Sequence, residues 1–377
     1  MGTASLPLEG LTVIAIEQAV AAPFCTSRLA DAGATVIKIE RPEGDFARGY
    51  DDVAAGQSSY FVWLNRGKQS LVLDLASAEG RAELADLIAG ADVVVQNLRP
   101  GALDRMGCGP DELRGRHPRL VVCSISGYGE TGPMASRKAY DLLIQAESGL
   151  ASITGGPAEP ARVGISLVDI ATGATAHAAI LEALIGRSIT GRGADIRVSM
   201  FDVMADWLAV PLLHQEGGKP PRRIGLAHPS IAPYGVFTTR DGRQILISIQ
   251  SDREWLTFST EFLGRPELAV DPRFASNVAR VSNRDATDEI VAAAFATRSE
   301  NEARASLTAA DTAFASVNDM AALSAHPHLR RIAVETPSGP ILVPAPAAVV
   351  RGDTRSYGPV PGIGQNSLGA AVAGNPS

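Results

Sequence analysis

Cysteine is scarce in this chain. There are three in 377 residues, Cys25, Cys108 and Cys123. An odd and widely spaced set builds neither a disulfide framework nor a zinc knuckle. None of the six histidines pairs with another at the helical spacing of an HExxH site. His326 and His328 flank Pro327 and read as a surface turn, so no metal is expected. No GxSxG segment occurs, which removes the signature of an α/β-hydrolase nucleophile. Long apolar runs are also missing. Leu120–Cys123 and Val291–Ala296 fall far short of the roughly 20 residues that span a bilayer. Met1 to Leu6 lacks the basic and apolar regions of a signal peptide, and Leu6 breaks the myristoylation pattern. The expectation is a cytoplasmic protein with no membrane partner. An excess of positive charge is lacking too: 34 basic against 41 acidic residues leave −7. A nucleic-acid partner is therefore not expected. A local basic site for one anionic ligand stays open.

What is present is ordinary globular material, 45% apolar and 20% charged, long enough for two or three domains. Leu11–Ile16 and Ala34–Glu40 read as strands on either side of a helix over Pro23–Ala32. Together they form a βαβ unit. Further strands are predicted at Lys68–Leu75, Ala91–Gln96, Leu120–Ser126 and Ala194–Val198. A helix over Ser77–Ala89 has Ser77 as its N-cap. This alternation predicts an α/β fold: a large Rossmann-like open parallel sheet. Gly149–Gly164 reads as loop, Asp169–Ile189 as a long buried helix and Met200–Leu213 as helical. Asp241-Gly242 marks a hairpin between Gly235 and Ile249, followed by helical segments to about Ala310. The expected division is a large domain over 1–204, a linker over 205–234, a small α+β domain over 235–325, and a segment over 326–377 that returns to the large domain.

Gly127-Tyr-Gly129-Glu-Thr-Gly132 matches GxGxxG after a strand. The dinucleotide motif needs a helix next, and Pro133-Met-Ala-Ser-Arg-Lys has no helical apolar spacing. The first strand-to-helix turn, Glu17 to Pro23, has no glycine. Nicotinamide or flavin binding is not expected. Asp169 stands among apolar neighbours in Ile165-Ser-Leu-Val-Asp-Ile-Ala. It is either a helix N-cap or a desolvated functional carboxylate. Lys38, Arg41, Arg99, Arg105, Arg137 and Lys138 stand at predicted strand ends or in the loops that follow, and such loops line the ligand crevice of an open sheet. As a set they suit a polyphosphorylated small ligand; singly, each could be solvated surface charge.

Several ordered segments then carry a resemblance. They include Gly33-Ala-Thr-Val-Ile-Lys-Ile-Glu40, Asn65-Arg-Gly-Lys68, Asn97-Leu-Arg-Pro-Gly-Ala-Leu-Asp-Arg-Met-Gly107 and Val168-Asp-Ile-Ala-Thr-Gly173. His228-Pro229 and Asp271-Pro-Arg-Phe-Ala-Ser-Asn277 continue the series. The chain resembles the class III CoA-transferases, relatives of formyl-CoA transferase, carnitine CoA-transferase and α-methylacyl-CoA racemase. The resemblance implies that acyl-CoA and a small carboxylic acid are substrates and that no cofactor is tightly bound. It implies Asp169 as catalytic nucleophile, with Tyr140 beside it. It implies Arg41, Arg105 and Lys138 on the phosphates or nucleotide of CoA, Asn97, Leu98 and Met106 on its adenine and pantetheine side, and Leu73 nearby. Val20, Tyr60, His228 and Tyr234 are the implied substrate-side residues. An interlaced homodimer is implied as well.

Two departures shape the expectation. Formyl-CoA transferases carry Gln where Val20 stands, and a glycine run that this chain lacks, so the formyl/oxalate pair is not expected. Racemases carry a His-Asp pair where this chain has Tyr140-Asp141, which disfavours α-proton transfer. His228 to Tyr234, after Arg222 and Arg223, resembles relatives acting on mesaconate, citramalate, itaconate or succinate. The two arginines would clamp a second carboxylate, unless they form a basic surface linker. CoA transfer, within one diacid or between two acids, is the leading expectation. A racemase or isomerase and a non-catalytic CoA-binding paralogue are the alternatives.

Overall fold

The computed structural model describes residues 6–352 and 355–367. Most of the N-terminal segment read for a leader, and the end of the return segment, lie outside the described residues. The chain divides into two compact units. The first comprises residues up to 151, 162–212 and 330 onward, and the second 152–161 and 213–329.

The first unit is built on six parallel strands: β1 (Thr12–Ile16), β2 (Thr35–Glu40), β3 (Lys68–Val72), β4 (Val93–Gln96), β5 (Val121–Ser126) and β6 (Asp195–Ser199), in the order β3-β2-β1-β4-β5-β6. Every residue of β4 is buried, as expected for strands covered on both faces. Side chains alternate along β1. Val13 and Ala15 join one apolar layer with Cys25, Leu29 and Ile180. Ile14 and Ile16 join the other with Leu84, Leu87 and Ile88. The first layer lies under helix α1 (Ala21–Asp31). The second lies under α2 (Ala78–Ala89), whose N-cap Ser77 accepts the Gly80 amide at 2.9 Å.

Two more helices position the site: α3 (Asp141–Glu147) and the 24-residue α4 (Leu167–Thr190). No helix follows Gly132 until α3, so the glycine pattern there lacks the geometry of a dinucleotide loop. Helix α4 packs along α1 at Gly173, where a Cβ would meet the Ala21 carbonyl oxygen at 2.4 Å. The expectation of a buried helix holds only for one face, through Val168, Ala171, Ala176 and Ile180. Ile185 and Ile189 are 64% and 79% exposed. By length and composition α4 could cross a bilayer, with a third of its most apolar window buried in the protein. The apolar runs read from sequence missed this because small and charged residues interrupt them.

Met200–Leu213 is helical as expected, but in two pieces, Met200–Trp207 and Ala209–Glu216. Pro211 has no amide hydrogen to give and its ring crowds the carbonyl four residues back, which breaks the run near Leu208. The stretch 149–164 contains a short helix, Leu150–Ile153.

The second unit holds an antiparallel sheet of β7 (Tyr234–Thr238), β8 (Gln244–Ser248) and β9 (Ala313–Ser316). Gly242 turns the hairpin with φ of 77°. Its core is aromatic, with Trp255, Phe258, Phe262, Phe274 and Phe295 all buried. The segment after residue 330 belongs to the first unit. It forms the hairpin β10 (Arg331–Val334) and β11 (Ile341–Pro344). It then covers the open edge of β3: Ser70 donates its amide to Asn366 Oδ1 at 3.1 Å and accepts the Asn366 amide at 3.1 Å.

Candidate active site

The strand order reverses between β1 and β4. In open α/β sheets the crevice at the carboxyl ends of such strands is where ligands bind. A cavity of about 560 Å³ opens there, entirely within the first unit. Its wall includes Gln18 to Ala21 after β1, Asn97 to Pro100 after β4, Lys138 to Asp141 where α3 begins, and Asp169. A second cavity of about 270 Å³ shares Gln18 and Leu98 with it and is walled by Arg41, Leu73 and Leu75.

The loop after β1 is held in an uncommon shape. Ala19 has φ of 64°, a left-handed conformation that costs a non-glycine residue free energy. Asp45 Oδ1 accepts the Ala19 amide at 3.2 Å. Asn97 accepts the Gln18 amide at 3.0 Å and donates to the Gln18 carbonyl at 2.8 Å. Asn97 therefore lines the cavity while its carboxamide braces the loop.

Beneath that loop lies a sealed ionic chain. Lys38 contacts Asp45 at 2.8 Å and Glu17 at 3.4 Å, and Lys68 contacts Glu17 at 2.6 Å. Thr26 donates to Glu17 at 2.6 Å. Burial works against the Glu17 charge, and the two lysines more than offset it, so its pKa is lowered. Lys68 is brought down to about 8, chiefly by burial. Lys38 is thus not an anion-binding cation of the crevice, as its place near the end of a predicted strand had suggested; it lies within β2. It is fully enclosed.

Asp169 is the third residue of α4, and Ser166 occupies the N-cap position without a side-chain bond. The N-cap reading of Asp169 is therefore wrong. The capping carboxylate is Asp141, from α3: its Oδ1 accepts the amides of Val168 at 2.7 Å and Asp169 at 3.3 Å. Burial, and then the like charge of Asp141, push the Asp169 pKa up to about 7. Tyr140 lines the same cavity and is 57% exposed. Val20 and Tyr60 line it as well. They pack with Phe24 and Leu64, and the Tyr60 ring stands edge-on to Tyr50 at 5.4 Å.

The other expected residues are dispersed. Lys138 and Leu98 line the first cavity; Arg41 and Leu73 line the second. Arg105 is exposed on the short helix Ala102–Arg105, and Met106 packs with Leu98 on the apolar layer under α2. His228 and Tyr234 belong to the second unit, with rings stacked at 5.3 Å and the His228 amide bonded to the Tyr234 carbonyl. Arg223 donates to the carbonyls of Ser152 and Gly156 at 2.9 and 3.2 Å, so its guanidinium braces its own unit. Gln18, Tyr50, Asp141 and Arg162 also line the cavity of Asp169. Sequence reasoning gave them no role. Only Asp141 had a signal, standing beside Tyr140 in the quoted pair.

The site therefore sets one half-buried carboxylate of raised pKa in a cavity that also holds Arg99, Arg137, Lys138 and Arg162. Such a group can act as nucleophile or as base toward an anionic substrate. The model of CoA-transferase family III matches residues 8–367. The chain belongs to CoA-transferase family III. Among its relatives is acetyl-CoA:oxalate CoA-transferase of Acetobacter aceti, 43% identical over 284 residues, 74% of this chain and 72% of that one. Succinate–glutarate CoA-transferase of Agrobacterium fabrum is 38% identical over 295 residues, 76% and 73% of the two chains. A crystal structure of a CaiB/BaiF family protein from Brucella suis superposes with a TM-score of 0.80 at 36% identity, covering 98% of this chain and 99% of that one. The α/β architecture is that of this relative, and the protein is a CoA-transferase.

Proposed function

We propose that this family III enzyme moves CoA between small dicarboxylic acids, with Asp169 as the nucleophile. The observation that carries the reading is the placement of Asp169: a half-buried carboxylate whose pKa is raised, in a cavity whose other wall charges are mostly cationic. Weak solvation leaves a carboxylate more reactive, and exclusion of water protects an anhydride from hydrolysis. The relatives named for oxalate and for glutarate support the diacid class.

The steps balance without redox chemistry or a net proton. A carboxylate oxygen of Asp169 attacks the thioester carbonyl, and the C–S bond breaks to release CoA thiolate and leave a mixed anhydride. The thiolate attacks the aspartyl carbonyl, which expels the donor acid as carboxylate and leaves an aspartyl-CoA thioester. The acceptor carboxylate attacks that carbonyl, forms a second anhydride and frees the thiolate. The thiolate then takes the acceptor acyl group and Asp169 is restored. When donor and acceptor are two carboxyls of one molecule, the same steps run intramolecularly.

Arg41 and Leu73, in the second cavity, suit the nucleotide end of CoA, and Leu98 and Gln18 line both cavities. Arg99 and Lys138 suit the phosphates. The apolar side chains left exposed on the first unit, Ile185, Ile189, Trp207 and Val210, suit a covering second copy. The homodimer is tested by light scattering at micromolar concentration, where a clean monomer contradicts it.

The activity is tested by incubating the protein with succinyl-CoA, mesaconyl-CoA and a 2-methylacyl-CoA, with and without diacids, in deuterated water. New acyl-CoA products that depend on the diacid support the reading. Deuterium at the α-carbon without exchange of acyl groups assigns Asp169 as a base instead.

A further inference from the structure

The four cations around Asp169 differ in what they touch. Arg137 has Glu147 at 3.7 Å. Arg99 and Lys138 sit on loops that follow strands. Arg162 alone arrives on the segment that leads into α4, the helix of Asp169. Its Nε donates to the Val163 carbonyl at 3.1 Å, and among the described residues its guanidinium has no carboxylate partner.

That segment is firmly anchored. The buried Gln145 accepts the Val163 amide at 2.9 Å and donates to Asp141 Oδ2 at 2.7 Å. It also reaches the Ile165 carbonyl at 3.4 Å. The other oxygen of Asp141 holds the amides of Val168 and Asp169. One Gln145–Asp141 bridge from α3 thus fixes the backbone beside Arg162 and the first turn that carries Asp169. The two groups are hung from the same support in one cavity wall.

We propose that Arg162 binds the distal carboxylate of a dicarboxylic substrate while the near carboxylate reacts at Asp169, and so sets the preference for diacids over monoacids. This rests on the reading of Asp169 as nucleophile. A guanidinium offers two parallel donors that match a carboxylate. A monoacid of equal length leaves those donors without their ionic partner, and sites built for a polar group reject analogues that lack it. Arg222 and Arg223, expected to fill this role, lie in the second unit, where Arg223 is bonded to backbone carbonyls.

The test compares glutarate with pentanoate as acceptors from succinyl-CoA, in the wild type, R162Q and R162K, with inhibition by free CoA measured in parallel. The wild type is expected to favour glutarate. R162Q should lower kcat/KM for glutarate roughly 10- to 100-fold more than for pentanoate, the value of one charged hydrogen-bonded contact, and R162K should fall between. Equal losses for both acceptors, a wild type indifferent to the second carboxylate, or a weakened CoA inhibition in R162Q would each overturn the assignment; the last makes Arg162 a phosphate ligand. A wild type that transfers CoA to neither acid, nor to any other carboxylate, overturns the transferase reading together with it. Arg162 is exposed, so loss of the fold is not expected, and thermal melting of both variants checks this.

Discussion

Asp141 Oδ1 accepts the backbone amide of Asp169 at 3.3 Å, so the two carboxylates of the cavity are joined at the first turn of α4. The contact caps the helix and also sets a like charge beside Asp169, which adds to the effect of burial on its pKa. Asp141→Asn keeps one oxygen for the amides but faces Gln145 Nε2 with a second donor. The variant should lose roughly 1 kcal/mol of stability, and the acid limb of its kcat/KM profile for acyl-CoA should move to lower pH. A limb that stays in place, or moves up, contradicts the coupling.

The raised pKa of Asp169 fixes the sign of two pH effects. Below about 7 the carboxylate takes a proton and cannot attack, so kcat/KM should rise with pH and level off above that value. Stability runs the other way. The folded protein binds this proton more tightly than the unfolded chain, so it loses stability as pH rises from about 4 to about 7. Asp169→Asn removes that loss. Its melting temperature relative to the wild type should therefore increase across the same range, read by calorimetry at several pH values. A constant difference would place Asp169 in water.

Glu17→Gln should be severe. It leaves Lys38 and Lys68 buried with one fewer negative charge between them. Breaking a buried ionic group on one side costs about 3–5 kcal/mol. Denaturant unfolding at neutral pH reads the loss, and a change under 1 kcal/mol shows that water reaches the network.

Two glycines of α4 make a matched pair. At Gly173 a Cβ would stand 2.4 Å from the Ala21 oxygen and 2.9 Å from Phe24 Cβ. Gly173→Ala should cost about 1–3 kcal/mol and lower activity, because Ala21 lines the cavity. At Gly186 a Cβ meets nothing within 4 Å. Gly186→Ala should stabilise the protein by about 0.5–1 kcal/mol. The same direction for both would remove the argument from close approach.

The parallel sheet was legible because β1, β2, β4 and β5 are short apolar runs bounded by polar turns, and Ser77 marks its helix by a rule of local chemistry. Asp169 was legible as a carboxylate among apolar residues. Its capping partner was not, since Asp141 lies 28 residues away and no local pattern joins them. Lys38 misled for a similar reason: its position near a strand end is local, but Glu17 and Asp45 reach it only through the fold. Arg162 stood in a glycine- and proline-rich stretch that read as loop, and its place in the cavity wall depends on a buried glutamine.

The central claim is that the oxygen of Asp169 becomes part of the substrate. It is tested most directly with an acceptor diacid carrying oxygen-18 in its carboxyl groups, followed through many turnovers with acyl-CoA, then digestion and mass spectrometry. In the proposed path the bridging oxygen of the second anhydride comes from the acceptor and stays with the enzyme when CoA departs with the acyl group. Label should accumulate in the peptide that contains Asp169 and nowhere else. Full turnover with no label in that peptide would contradict the account.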